Sequence, residues 1–330
     1  MSKIIIAIHG LGNKPPEKIL TRWWKKSIYE GLRAINEPRF FFRFELVYWA
    51  DIMYPEPLDP REKNKHSPCF LEDPYVPAGD FEDYTPSELR KKINAYIKEQ
   101  IDRIFLNADK SINFSKITDL ILHRYFRDLE IYFKAERANG IKSPNLSARD
   151  AIRERLARVL KKHRRKDIFL IAHSMGSIVA YDVLAQLDHE VNIDSFITIG
   201  SPLGLPVVMS RIYSEQRKRL EKVDFVRTPE NVRRQWLNFA DLEDKVAIDY
   251  ELAGDFMPNS CNVGVKDIQI YNNYIHNGKR NPHKAYGYLR STALARQIHA
   301  FLGESALRSF FNEIFLRITE PESLKSVQEF

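Results

Sequence analysis

Short unbroken apolar runs alternate with amphipathic stretches along this chain, and that rhythm predicts a parallel sheet with helical crossovers. The first run, Ile4-Ile5-Ile6-Ala7-Ile8, reads as a strand over residues 3–8 that is buried on both faces. Residues 16–34 follow as a helix whose apolar face carries Ile19, Trp23, Ile28 and Leu32. Phe42 to Trp49 reads as the second strand. After an interruption the rhythm resumes with a helix from Ser147 to about His163, a strand over 167–172, a helix from Met175 to Leu187 and a strand over 193–199. Gln235 to Phe239 and Asp267 to Tyr271 supply two more strands, and Tyr286 to Leu302 a closing helix. The sum is an α/β chain, one domain over residues 1–330, with a mostly parallel six-stranded sheet flanked by helices.

Residues 52–146 break the pattern. Pro55, Pro57, Pro60, Pro68, Pro74 and Pro77 make the first third an extended loop. Thr85-Pro86-Ser87-Glu88 then carries a helix start: Thr as N-cap, Pro at the first helical position and Glu at the third. Leu89, Ile93, Ile97, Ile101 and Ile104 continue it, and Ile117 to Phe133 repeats the spacing in a second helix near 114–136. Two amphipathic helices inserted into a sheet are expected to form a cap over a site, the other reading being a packing insertion.

Composition sharpens this picture only in part. Hydrophobic residues make up 44% and charged residues 29%, enough apolar mass for a core. The net charge of +7 directs attention to anionic surfaces. Its densest run, Lys161-Lys162-His163-Arg164-Arg165-Lys166, reads first as a solvated helix end, where cations complement the dipole. Peripheral contact with an anionic membrane stays open; no nucleic-acid partner is expected, and oligomeric state is undetermined. Cys69 and Cys261 sit in no metal or disulfide pattern, and neither a signal peptide nor an apolar span is seen, so a reducing, cytoplasmic setting is expected. The early glycines lack the third member of a dinucleotide fingerprint, and no cofactor or metal is expected.

The sharpest chemical signal is the strand Ile168-Phe169-Leu170-Ile171 running through Ala172-His173-Ser174-Met175-Gly176 directly into a helix. Small residues at 172 and 176 allow strand and helix backbones to meet in a tight turn, which lifts the Ser174 hydroxyl beyond the sheet edge as a nucleophile. The bland alternative is a serine that caps the helix. Attack on a carbonyl needs donors for the resulting oxyanion. The N–H of Met175 is one candidate, and that of Leu11, in His9-Gly10-Leu11-Gly12 after the first strand, is the other. His9 and His173 read as structural neighbours of that site.

His9-Gly10-Leu11-Gly12, Ala172-His173-Ser174-Met175-Gly176 and Gly200-Ser201-Pro202-Leu203-Gly204 together resemble the α/β-hydrolase superfamily. Within it the chain is most similar to lipase- and esterase-type serine hydrolases, including lecithin–cholesterol acyltransferase-like and GPI-inositol-deacylase-like groups. The resemblance covers residues 3–49 and about 147–300, departs at Ala172, where many members carry glycine, and begins at what resembles the family's third strand. It implies the chain order serine, acid, histidine. Asp244, ahead of Lys245-Val246, is then the favoured acid, with Asp241 as its rival, and His283 in Asn281-Pro282-His283 is the base. Met175 and Leu203 are carried over as acyl-pocket residues.

The function so implied is cleavage of a carboxylic ester, a small-molecule or lipid acyl ester, by Ser174, His283 and Asp244 without cofactor. A thioesterase, amidase or acyltransferase on the same residues is the enzymatic alternative. A non-catalytic binding or scaffold protein of the same fold is the other.

Overall fold

A computed structural model describes residues 2–79, 132, 147–187, 190–219, 225–247 and 251–303. Its centre is a six-stranded, wholly parallel sheet built from β1 (Lys3–Ile8), β2 (Phe44–Val47), β3 (Asp167–His173), β4 (Ile193–Ile199), β5 (Val232–Ala240) and β6 (Val265–Gln269), ordered β2-β1-β3-β4-β5-β6. The helices are α1 (Glu17–Ala34), the single turn α2 (Ala50–Met53), α3 (Ala148–Lys162), α4 (Met175–Leu187), α5 (Pro206–Arg219), α6 (Ala285–Arg290) and α7 (Thr292–Leu302).

Strand alternation divides the core in two. Ile4, Ile6, Ile8, Ile168, Leu170 and Ala172 face one layer with Leu156 and Leu160 of α3 and Val179 and Leu184 of α4. Ile5, Ala7, Phe169, Ile171, Ile197 and Ile199 face the other, against Trp24 and Ile28 of α1 and Leu294 and Ile298 of α7. Successive side chains of a strand point to opposite faces, so a run apolar at every position is what a sheet covered on both sides requires.

Two local expectations need correction. In α1 the buried row is Leu20, Trp24, Ile28 and Leu32, one strict i, i+4 series, so Ile19 and Trp23 lie at its margin, where Trp23 stacks on Tyr75 at 6.2 Å between ring centroids. The closing helix is two helices, because the Ser291 side chain accepts from the Leu294 N–H and starts a new one. Residues 206–219, between β4 and β5, form α5. Asp182 of α4 is held by Arg149 at 2.8 Å and by the Tyr132 hydroxyl at 3.0 Å.

The two helices expected near 85–104 and 114–136 lie outside the described residues, Tyr132 excepted. The loop before them is extended and stitched down. The Tyr274 hydroxyl donates to the Pro74 carbonyl at 2.6 Å, Asn281 donates to Asp73 at 2.8 Å, and buried Arg290 donates to the Val76 carbonyl at 3.0 Å. No helix among the described residues is long and apolar enough to cross a membrane.

The order β2-β1-β3 reverses direction at β1. The loops leaving β1 and β3 at their C-terminal ends therefore diverge, and such a switch point is where open α/β sheets hold their ligands. His9-Gly10-Leu11-Gly12 leaves β1 there, and Ser174 follows β3.

Candidate active site

Ser174 is the single residue between β3 and α4, and its φ of +54° places a non-glycine residue in the left-handed region. Close packing holds that strain in place: a Cβ at Gly176 would meet the backbone oxygens of His9 and Ile8 at 2.7 and 2.8 Å, so only glycine lets α4 approach β1. The Ser174 N–H donates to the Ile199 carbonyl at 3.0 Å, tying the turn to the end of β4.

The structure brings the serine, histidine and first-choice acid together across long stretches of chain. His283 Nε2 lies 3.0 Å from Ser174 Oγ, while its Nδ1 lies 2.8 and 2.9 Å from the two Asp244 oxygens. Asp244 also accepts from the N–H groups of Val246 at 2.9 Å and Ala247 at 3.3 Å, so the turn after β5 aims its carboxylate. The Asp–His bond requires a proton on Nδ1, which leaves Nε2 as an acceptor facing the serine hydroxyl.

One geometric expectation fails. Ser174 stands beyond the strand end, yet it is only 2% exposed, because the backbone of Gly10 lies against its Cβ and the His283 ring covers its oxygen. The imidazole is the more open partner, with a quarter of its side chain exposed.

Asp241 does different work. Its carboxylate is paired with Arg280 and accepts the N–H of Asn272 at 2.6 Å and of Glu243 at 2.8 Å. Burial pushes its pKa up against the pull of these donors. Arg280 comes from a small hairpin, β7 (Ile275–His276) and β8 (Lys279–Arg280), turned by Asn277-Gly278 with φ values of +51° and +71°. Asn-Gly is the strongest short-range hairpin signal, and it was legible in the sequence but unread.

Sequence reasoning also missed Tyr288. Its buried hydroxyl donates to Asp244 Oδ2 at 2.8 Å and accepts the Asp241 N–H at 3.0 Å. Burial and the neighbouring carboxylates push its pKa well above the usual phenol value, so it stays a donor. No local pattern marks this tyrosine, which lies five positions past His283. Gly200, noted only as part of a motif, has a φ of +54°; a Cβ there would stand 2.9 Å from Asp244 Oδ2 and 3.3 Å from His283 Nδ1.

The two motif histidines are buried and their pKa values fall well below 6.5, desolvation being the main cause. His9 Nε2 accepts the Trp49 N–H at 2.9 Å, so Nδ1 carries the proton and donates to the Gly10 carbonyl at 2.8 Å. The next N–H, that of Leu11, is trans to this carbonyl and so is turned away from His9. Lys14 donates to the carbonyls of Leu11 and, at 2.9 Å, Gly12. His173 Nε2 donates to the His283 carbonyl at 2.9 Å, which fixes the backbone of the histidine loop.

Met175 opens α4, so its N–H has no carbonyl one turn earlier to bond. Leu203 is fully buried in the same apolar cluster as Met175, with its N–H donating to Ser201 Oγ at 3.2 Å. Among the described residues, no group of three or more His, Cys, Asp or Glu is arranged to hold a metal ion.

No curated protein matches the chain. The family model described as the PGAP1-like alpha/beta domain matches residues 124–294, just over half of the 330 residues, and takes in α3 to α6 with Ser174, Asp244 and His283. With that match, and with its parallel sheet flanked by helices, the chain belongs to the PGAP1-like alpha/beta domain family, a fold of the α/β-hydrolase type.

Proposed function

We propose that the chain is a serine hydrolase that cleaves a carboxylic ester, with lipid acyl esters the preferred class. The observation that carries this reading is the unbroken chain of contacts from Ser174 Oγ through the His283 imidazole to Asp244, at 3.0 and 2.8 Å.

Chemistry assigns the roles. His283 Nε2 takes the hydroxyl proton as Ser174 Oγ bonds to the ester carbonyl carbon, and the carbonyl oxygen becomes an oxyanion. The N–H groups of Leu11 and Met175 receive that oxyanion, the first held in orientation by His9, the second offered by the helix start. Collapse breaks the bond to the alcohol, which leaves with the proton from His283. Water, deprotonated by the same nitrogen, then attacks the acyl-serine, and His283 returns that proton to Ser174 Oγ as its bond to the acyl carbon breaks and the acid leaves. Asp244 keeps the proton on Nδ1 and offsets the imidazolium charge, so it need not be protonated itself.

The test uses a fluorophosphonate probe and p-nitrophenyl esters of increasing acyl length on the wild type, Ser174→Ala and His283→Gln. Labelling should occur in the wild type alone, and both variants should lose at least about 10³-fold in kcat/KM. A rate rising with acyl length supports the lipid class. An intact fold by circular dichroism with neither labelling nor turnover would instead favour a binding module, and faster cleavage of matched thioesters or amides would move the assignment to those leaving groups.

A further inference from the structure

Phe40 and Phe41 are 85% and 70% exposed, the two most open large apolar side chains among the described residues. They stand side by side in Arg39-Phe40-Phe41-Phe42-Arg43, the loop between α1 and the edge strand β2. This exposure belongs to an anchored loop. Phe42 is buried against Tyr29, with ring centroids 4.8 Å apart, and the Tyr29 hydroxyl donates to the Phe40 carbonyl at 3.3 Å. The pair is thus presented outward by its own neighbours.

Cations flank it. The Lys25 ammonium lies 5.9 Å from the Phe41 ring and 5.5 Å from that of Phe42, and exposed Arg43 follows two positions after Phe41. The two closest carboxylates in sequence are engaged, Glu37 with His299 at 3.7 Å and Glu45 with Lys162 at 2.9 Å. Arg39 is the independent observation. Its Nε and one terminal nitrogen are buried without a hydrogen-bond partner. The guanidinium is half-buried and feels the charge of Glu37, but these two nitrogens keep open donors, whose fork a phosphate oxygen fits.

We propose that the Arg39–Arg43 loop is a membrane-docking element, in which Phe40 and Phe41 enter the headgroup–acyl boundary of an anionic phospholipid bilayer and Arg39 takes a lipid phosphate. Lasting attachment at that boundary needs apolar insertion and positive charge together, and this loop supplies both within five residues. Two exposed rings alone fall short of the about 800 Å² that each partner of a stable protein interface buries. Two adjacent rings on a projecting loop suit a soft medium better than the spaced stacking platform of a nucleic-acid binder. The docking does not depend on the hydrolase reading.

The experiment is co-sedimentation of the full chain with vesicles of phosphatidylcholine alone, or with about one third phosphatidylserine. The wild type should bind the anionic vesicles, more weakly as salt rises. Phe40→Ser with Phe41→Ser should weaken binding at least about tenfold at unchanged circular dichroism. Arg39→Gln should reduce the preference for anionic over neutral vesicles several-fold. Ser174→Ala should bind as the wild type does, which separates docking from catalysis. Wild-type protein that ignores both vesicles, or a double serine variant that binds as before, overturns the proposal. It is equally overturned if the double variant abolishes self-association or single-stranded RNA binding while leaving vesicle binding intact.

Discussion

Tyr288→Phe removes one oxygen atom and tests the proposed acid–base pair more sharply than deleting any member of it. The hydroxyl makes two buried hydrogen bonds, donating to Asp244 Oδ2 at 2.8 Å and accepting the Asp241 N–H at 3.0 Å. Losing the first withdraws a donor from a carboxylate, worth about 1.5–3 kcal/mol. Losing the second leaves a buried N–H without its acceptor, a further cost of about 1–3 kcal/mol. Only the first cost is linked to the charge on Asp244, and a pH unit corresponds to about 1.4 kcal/mol. With one donor fewer the carboxylate becomes more basic and pulls harder on the imidazole proton. On these figures the acid limb of kcat/KM should move up by about one to two pH units. The assay is kcat/KM against pH on a soluble p-nitrophenyl ester, with urea unfolding of the same protein to read stability. A variant whose stability falls by about 2 kcal/mol with an unmoved acid limb would make Tyr288 merely structural. One matching the wild type in both would refute the reasoning.

Two other outcomes are expected. Gly200→Ala places a methyl 2.9 Å from Asp244 Oδ2 at a φ of +54°, so the acid–histidine pair must shift by a few tenths of an ångström. We expect about a tenfold loss of kcat and a backbone strain of about 1 kcal/mol; a wild-type rate would contradict the crowding. Acid should destabilise the fold through His9 and His173, both held neutral well below 6.5. Below that value the unfolded chain binds two protons that the folded chain refuses, so stability is full above pH 6.5 and is lost as pH falls. From about pH 7.5 to about pH 5.5 the loss is roughly 2–3 kcal/mol, opposed at most by the single proton that raised Asp241 retains. Urea midpoints at the two pH values read it, and a flat or rising profile would mean that the histidines are charged in the fold.

The sequence by itself determined whatever depends on neighbours along the chain. Ile4 to Ile8 and Ile168 to Ala172 are apolar at every position, so they had to be strands covered on both faces, and the crossover helices between them followed. The small residues around Ser174 demanded a tight strand-to-helix turn, and Ser147 capped α3 as its side chain allows, accepting the Asp150 N–H at 3.1 Å. These signals span a few residues, and steric and hydrogen-bonding rules at that range leave few solutions.

The sequence already favoured Asp244 over Asp241, but only the tertiary structure shows what each carboxylate meets. Arg280, from a hairpin 39 positions on, claims the first, while His283 and Tyr288 reach the second. The same holds for the 2% exposure of Ser174, set by a glycine loop from β1 and a ring 109 positions later. The two exposed phenylalanines were invisible for the converse reason: three consecutive phenylalanines look alike in sequence, and only packing against Tyr29 buries Phe42 and turns Phe40 and Phe41 outward. Contacts between residues distant in the chain leave no periodicity to read, since each partner's identity constrains the other only once the fold has set them side by side.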